Sequence, residues 1–164
     1  MLGSECVHEL FEKTFRYDLC VNFEDCDMGG VVFHPNYLKY LERARSEMLR
    51  ELGYSFREML NSGYAFVVSE HYSKYVTPAL FDDRLTVHSV ITGLSPTSIR
   101  VKQRITKLIG GEEALVHAIQ IRLVCVNLNS KRPEVMPPVI RKLLNVDIEN
   151  LPKEFAQVRV STEF

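Results

Sequence analysis

The chain predicts an α+β fold, with long antiparallel strands wrapped around a single long helix. Three observations carry that prediction. Tyr37, Leu41, Ala44, Met48 and Leu52 recur at spacings of three and four, which makes one apolar helical stripe. Almost everything after Gly53 reads as strand, in four long segments. Gly110-Gly111 joins the last two of those segments with a two-residue hairpin signal. No other large apolar stripe is available to cover a sheet, so the strands must pack on this helix.

In chain order, Ser4 to Phe11 is read as a short helix capped by Ser4, with Val7, Leu10 and Phe11 on one face. From Phe15 to Phe23 the chain alternates, with Phe15, Tyr17, Leu19, Val21 and Phe23 pointing one way, as in a half-buried strand. Glu24–Gly30 breaks the alternation with three acids and two glycines and reads as a loop. Pro35 suits the first position of the long helix, because its missing N–H costs nothing there. Gly53 is its expected stop. The strands expected next are Ala65 to Val76, Arg84 to Thr92, Ser98 to Leu108 and Ala114 to Leu128. In the third, Ile99, Val101, Gln103 and Ile105 face away from Arg100, Lys102, Arg104 and Thr106. Pro137-Pro138 opens a short final helix to about Leu144.

At 164 residues, with 46% hydrophobic and 25% charged, the chain has the composition of an ordinary globular protein. The expected organisation is an N-terminal extension over 1–14, one folded domain over 15–145, and a tail over 146–164. A net charge of -1 gives no electrostatic reason to expect nucleic acid or an anionic membrane as partner. No apolar run approaches the roughly 18 residues of a membrane span. The start of the chain lacks the order of a signal peptide. The four cysteines, Cys6, Cys20, Cys26 and Cys125, show no paired spacing and are read as reduced thiols of a cytoplasmic protein. No His, Cys or Asp cluster has metal-ligand spacing, so neither a metal nor another cofactor is expected.

The stretch from Asn22 to Leu52 is where chemistry is most legible. A carboxylate, two glycines and a helix start fall within a dozen residues. Glycines allow close approach of backbone to a ligand. The free N–H groups of a helix start can hold a developing oxyanion. A carboxylate beside them can attack a carbonyl or take a proton from water. The same residues can equally form an acidic turn and a helix cap, and pattern alone leaves both readings open.

The residues Phe23, Asp25-Cys26-Asp27, Gly29-Gly30, Val31-Val32, Phe33-His34, Pro35 and Asn36-Tyr37 strongly resemble the signature of the 4-hydroxybenzoyl-CoA thioesterase family. That family includes the bacterial acyl-CoA thioesterases associated with the Tol–Pal system. Glu42 to Arg45, E-R-A-R, looks like the family's helix, and Tyr75 to Asp83 resembles its strand-turn-strand segment. The likeness runs over roughly residues 15–143.

The resemblance implies a hot-dog fold, a five-stranded antiparallel sheet curled around a central helix. It further implies sheet extension across a homodimer, with tetramers common, and an active site at the subunit boundary. The implied activity is hydrolysis of an acyl-CoA thioester to a free acid and coenzyme A. Asp27 is the implied catalytic carboxylate, as nucleophile or general base. The His34 backbone N–H is the implied carbonyl holder. Gly29, Gly30, Phe33 and Tyr37 are the expected substrate contacts, although Tyr37, Tyr40 and Met48 at helical spacing also read as core.

Other residues carry weaker expectations. Asp25 is expected to orient the loop through backbone N–H bonds. Cys26 invites a Cys–His reading with His34 that nothing beyond proximity supports. Glu70 falls on a strand and not on the helix that supplies the glutamate of another hot-dog branch. Lys74, Arg100, Lys102 and Arg104 are candidates for coenzyme A phosphates. The chain reads Leu94-Ser-Pro-Thr-Ser98 where close relatives often carry basic residues, so an acyl-carrier-protein thioester stands as the alternative substrate. A hot-dog hydratase or dehydratase, to which the His34-Pro35 pair is similar, and a non-catalytic acyl-binding protein are the rival functions.

Overall fold

The structure is a computed structural model and describes residues 13–144. The expected helix over Ser4 to Phe11 and the tail lie outside those residues. Strand β1 runs Phe15–Cys20, helix α1 Asn36–Glu51 and helix α2 Phe56–Asn61. Strands β2 (Tyr64–Tyr75), β3 (Arg84–Ser95), β4 (Ser98–Ile109) and β5 (Glu112–Asn127) follow. A two-residue strand β6, Arg132–Pro133, and helix α3, Pro138–Leu143, complete the order.

The sheet is antiparallel in the order β1-β3-β4-β5-β2, with β6 on β5. It curls around α1 in the hot-dog arrangement, an α+β fold. Five strands were expected, and the short β6 is a sixth. It pairs only Val126 with Pro133 and Asn127 with Arg132, too short a run for alternation to reveal.

The helical stripe is the buried face of α1, with Tyr37, Leu41, Ala44 and Met48 buried. Two apolar clusters meet there. Leu41 and Ala44 pack with Val87, Ile105 and Ile119, while Met48 packs with Ile91, Val101 and Ile121. In β4 the expected inward face holds, including Gln103, which is fully buried. Gln103 answers the cost of burial by donating from Nε2 to the Leu41 carbonyl at 3.0 Å and the Ser89 hydroxyl at 2.9 Å. Gly110 and Gly111 both take positive φ, 61° and 88°, as the two-residue hairpin demands.

Two expectations are corrected. The first strand stops at Cys20, and Phe23 instead opens a 3-10 turn and is 82% exposed. The cause is local. The Asp25 carboxylate accepts the Asn22 N–H at 2.9 Å, which bends the chain before Phe23 can continue the alternation. No element is expected between Gly53 and Ala65, and α2 lies there. Ser55 and Glu58 form a reciprocal capping box there, so the S-x-x-E signal was present in the sequence.

Candidate active site

The segment after the 3-10 turn is a tight loop closed on itself. Cys26 and Val32 bridge across it, and the Asp27 N–H donates to the Val31 carbonyl at 2.9 Å. The Gly30 N–H donates back to the Asp27 carbonyl at 3.0 Å. Gly30 sits at φ 73°, a conformation that side chains with a Cβ rarely adopt.

Within this loop the Asp27 carboxylate is pinned at one end. Its Oδ1 accepts the Gly29 N–H at 2.8 Å, the turn-forming bond expected of a loop aspartate. Among the described residues nothing donates to Oδ2, and the residue is exposed. A carboxylate held by one oxygen and open at the other is oriented and still able to react. A Cβ on Gly29 would stand 3.1 Å from Asp27 Oδ1, so the glycine makes room for that geometry.

A stretch distant in sequence closes against the loop, and local bonds tie the loop to the helix start. The Val32 N–H donates to the Ala79 carbonyl at 2.9 Å, and the Phe81 N–H to the Gly30 carbonyl at 3.2 Å. The segment Tyr75 to Asp83 therefore lies against the acidic loop. It is braced in turn by Lys107, whose ammonium reaches Asp83 at 2.7 Å and the Pro78 carbonyl at 2.9 Å. On the other side the Asp25 carbonyl accepts the Phe33 N–H and the Asn36 amide, both at 2.9 Å. Asp25 itself is buried, in keeping with its expected orienting role.

Phe33, His34 and Pro35 form the turn into α1, and Pro35 stands at the cap with Asn36 beginning the helix. Among the described residues nothing accepts from the His34 backbone N–H. Its ring is exposed and meets the Phe33 ring edge-on at 5.0 Å between centroids. Phe33, Met28, Leu80 and Phe81 are exposed apolar residues along these same segments, a patch of the kind that ligands or partners cover.

Tyr37 is placed differently from the open contact expected of it. It is 4% exposed, and its hydroxyl accepts the Ala79 N–H at 3.0 Å. Its ring stacks on His117 at 5.4 Å with 10° between planes. Tyr37 is thus a wall behind the loop, because a stripe residue in the first turn of α1 faces the sheet. Burial, followed by the nearby His71 charge, lowers the His117 pKa to about 4, so this ring is neutral near neutral pH.

The sequence suggests no particular role for Tyr75. Its hydroxyl donates to the His34 carbonyl at 3.3 Å, and its ring lies 4.6 Å from His117. No sequence signal links residues 41 positions apart in this way. The basic candidates share one face of the sheet, where Lys74 of β2 and Arg104 of β4 are both in register with Ala118 of β5. Arg100 pairs with Glu70 at 3.3 Å, which places Glu70 on the strand as expected. Lys74 and Arg104 are exposed.

The Cys26 thiol is poorly suited to attack. Burial first, and then the charges of Asp25, Asp27 and Asp83, push its pKa up and disfavour the thiolate. Cys26→Ala is accordingly expected to retain activity within a few-fold of the parent in a thiol-release assay. Loss of turnover in that variant, together with inactivation by iodoacetamide, would require a cysteine mechanism. No helix of the described residues is long and apolar enough to cross a membrane, and no group of His, Cys, Asp or Glu among them could hold a metal.

A curled sheet around one helix, with an acidic loop laid against the helix start, defines a protein of the hot-dog class. Residues 21–144 match the family described as the thioesterase-like superfamily, and the chain belongs to it. Thioester hydrolase is the enzyme class which that membership assigns, ahead of the lyase. A relative in Escherichia coli, the acyl-CoA thioester hydrolase YbgC, is 36% identical over 126 residues, covering 77% of this chain and 92% of its own. A probable thioesterase from Bartonella henselae has a crystal structure that superposes with a TM-score of 0.69. It shares 28% identity and covers 76% of this chain and 100% of its own. The 4-hydroxybenzoyl-CoA thioesterase of Pseudomonas sp. strain CBS-3 superposes with a TM-score of 0.73 over 80% of this chain and 99% of its own. At 22% identity, that last likeness speaks for the fold alone.

Proposed function

We propose that this protein hydrolyses an acyl-CoA thioester to a free carboxylic acid and coenzyme A, with Asp27 as the reacting carboxylate. The observation that carries the reading is the Asp27 side chain, fixed through Oδ1 by Gly29 and open at Oδ2. The relative named acyl-CoA thioester hydrolase supports the choice of substrate class.

In this scheme the acyl carbonyl oxygen sits on the unengaged His34 N–H, at the positive end of the α1 dipole. Phe33 and its exposed apolar neighbours cover the acyl group, and Gly29 and Gly30 let it approach the loop backbone. Asp27 then acts in one of two ways. It attacks the carbonyl carbon, expelling the thiolate and leaving an anhydride that water opens, or it takes a proton from a water that attacks instead. Both routes consume one water and release one acid and one thiol.

The exposed edge of the sheet supports a homodimer, or a homotetramer built of two such dimers, whose pairing would complete the acyl site. A thiol-release screen tests the reading directly. Acyl-CoA esters of varied chain length and ring type are expected to yield free thiol with at least one ester. Turnover of an acyl-carrier-protein thioester with no turnover of any coenzyme A ester would reassign the carrier.

A further inference from the structure

A ligand-sized space lies away from the acidic loop, under the C-terminal half of α1. This apolar cavity of about 180 Å³ is lined by Met48 and Leu52 of α1 and its cap, Phe66 of β2, Ile91 of β3, Leu123 of β5 and Leu144. Both ends of the E-R-A-R motif, Glu42 and Arg45, stand at it.

Arg45 is the unusual member. It is half-buried against apolar side chains, and among the described residues its guanidinium makes one hydrogen bond, to Gln103 Oε1 at 2.7 Å. Gln103 cannot swing away, because its amide nitrogen is committed to Leu41 and Ser89. The fork of Arg45 is therefore held in place with donors to spare, and a guanidinium has five. Glu42, on the exposed side, accepts from Ser46 at 3.1 Å, and among the described residues no ion pair joins it to Arg45. Burial lowers the Arg45 pKa, with Glu42 acting the other way, and among the described residues no carboxylate forms an ion pair with the guanidinium.

We infer that this cavity is a binding site for a free aliphatic carboxylic acid, its carboxylate on Arg45 and its tail among Met48, Leu52, Phe66 and Leu123. The chemistry matches at both ends. A carboxylate accepts two parallel bonds from a guanidinium, and an apolar tail replaces contacts that an empty apolar space lacks. Size sets the chain length. An apolar cavity of about 150 Å³ holds benzene, so this one suits a tail of about seven carbons. Such an acid is the kind of molecule that thioester hydrolysis releases. The site itself does not depend on the role of Asp27, because its readout is affinity for an acid that undergoes no reaction.

Titration calorimetry on the full chain with octanoate and with octan-1-ol tests the assignment. Octanoate is expected to bind about 10- to 100-fold more tightly than the alcohol, the range of a charged hydrogen-bonding head group. Arg45→Met should erase that preference, and Leu52→Trp, which fills the cavity away from Arg45, should weaken both ligands. Asp27→Asn should leave octanoate affinity unchanged, which separates this site from the acidic loop. Equal binding of the two ligands, no binding of either, or full octanoate affinity in Arg45→Met or Leu52→Trp would overturn the inference.

Discussion

Asp27→Asn is expected to lower turnover by about 10²–10⁴-fold while leaving the fold and the capacity to bind substrate intact. The substitution is chosen for what it preserves. An asparagine oxygen can still accept the Gly29 N–H that Asp27 Oδ1 accepts at 2.8 Å, so the loop keeps its turn. Only the nucleophilic and basic character of the other oxygen is lost. Unchanged circular dichroism and thermal midpoint, with single-turnover kinetics on a responsive acyl-CoA ester, would check both halves of the expectation. A variant within a few-fold of the parent rate would remove Asp27 from the mechanism.

Activity per subunit is expected to fall almost to nothing when the protein is diluted through the range where oligomers dissociate. The physical ground is β2, 12 residues long with β5 as its neighbour in the sheet and its other edge unpaired among the described residues. Along it Val67, Val68, Tyr72 and Tyr75 expose apolar surface. A long apolar edge strand invites pairing with another chain, and a second copy can satisfy it by continuing the sheet. Tyr75, on that same strand, touches His34, so whatever covers the edge also borders the proposed acyl site. Light scattering alongside the thiol-release assay would follow mass and rate together. A fully active monomer at assay concentration would refute the shared site and leave the Asp27 chemistry untouched.

The parts of the fold that were legible are those governed by a short repeat. The α1 stripe from Tyr37 to Met48 and the alternation of β4 each follow from one element facing one apolar layer. Gly110-Gly111 was legible because positive φ at both positions leaves few other choices. The acidic loop could be picked out because its residue types are unusual together. Its geometry could not be. That Oδ1 of Asp27 is pinned while Oδ2 is open depends on where the Gly29 N–H points.

The sequence by itself determined the α+β class, the buried face of the central helix and the segment that carries the carboxylate. These are consequences of local spacing, since a periodic pattern states which side of an element avoids water. Tertiary structure alone decided which elements meet. It set Tyr37 behind the loop, brought the Tyr75 hydroxyl to the His34 carbonyl, and fixed Arg45 on Gln103, 58 residues away, at the mouth of an apolar cavity. Periodicity names a face but not its partner, and these contacts exist only once the sheet has curled around α1.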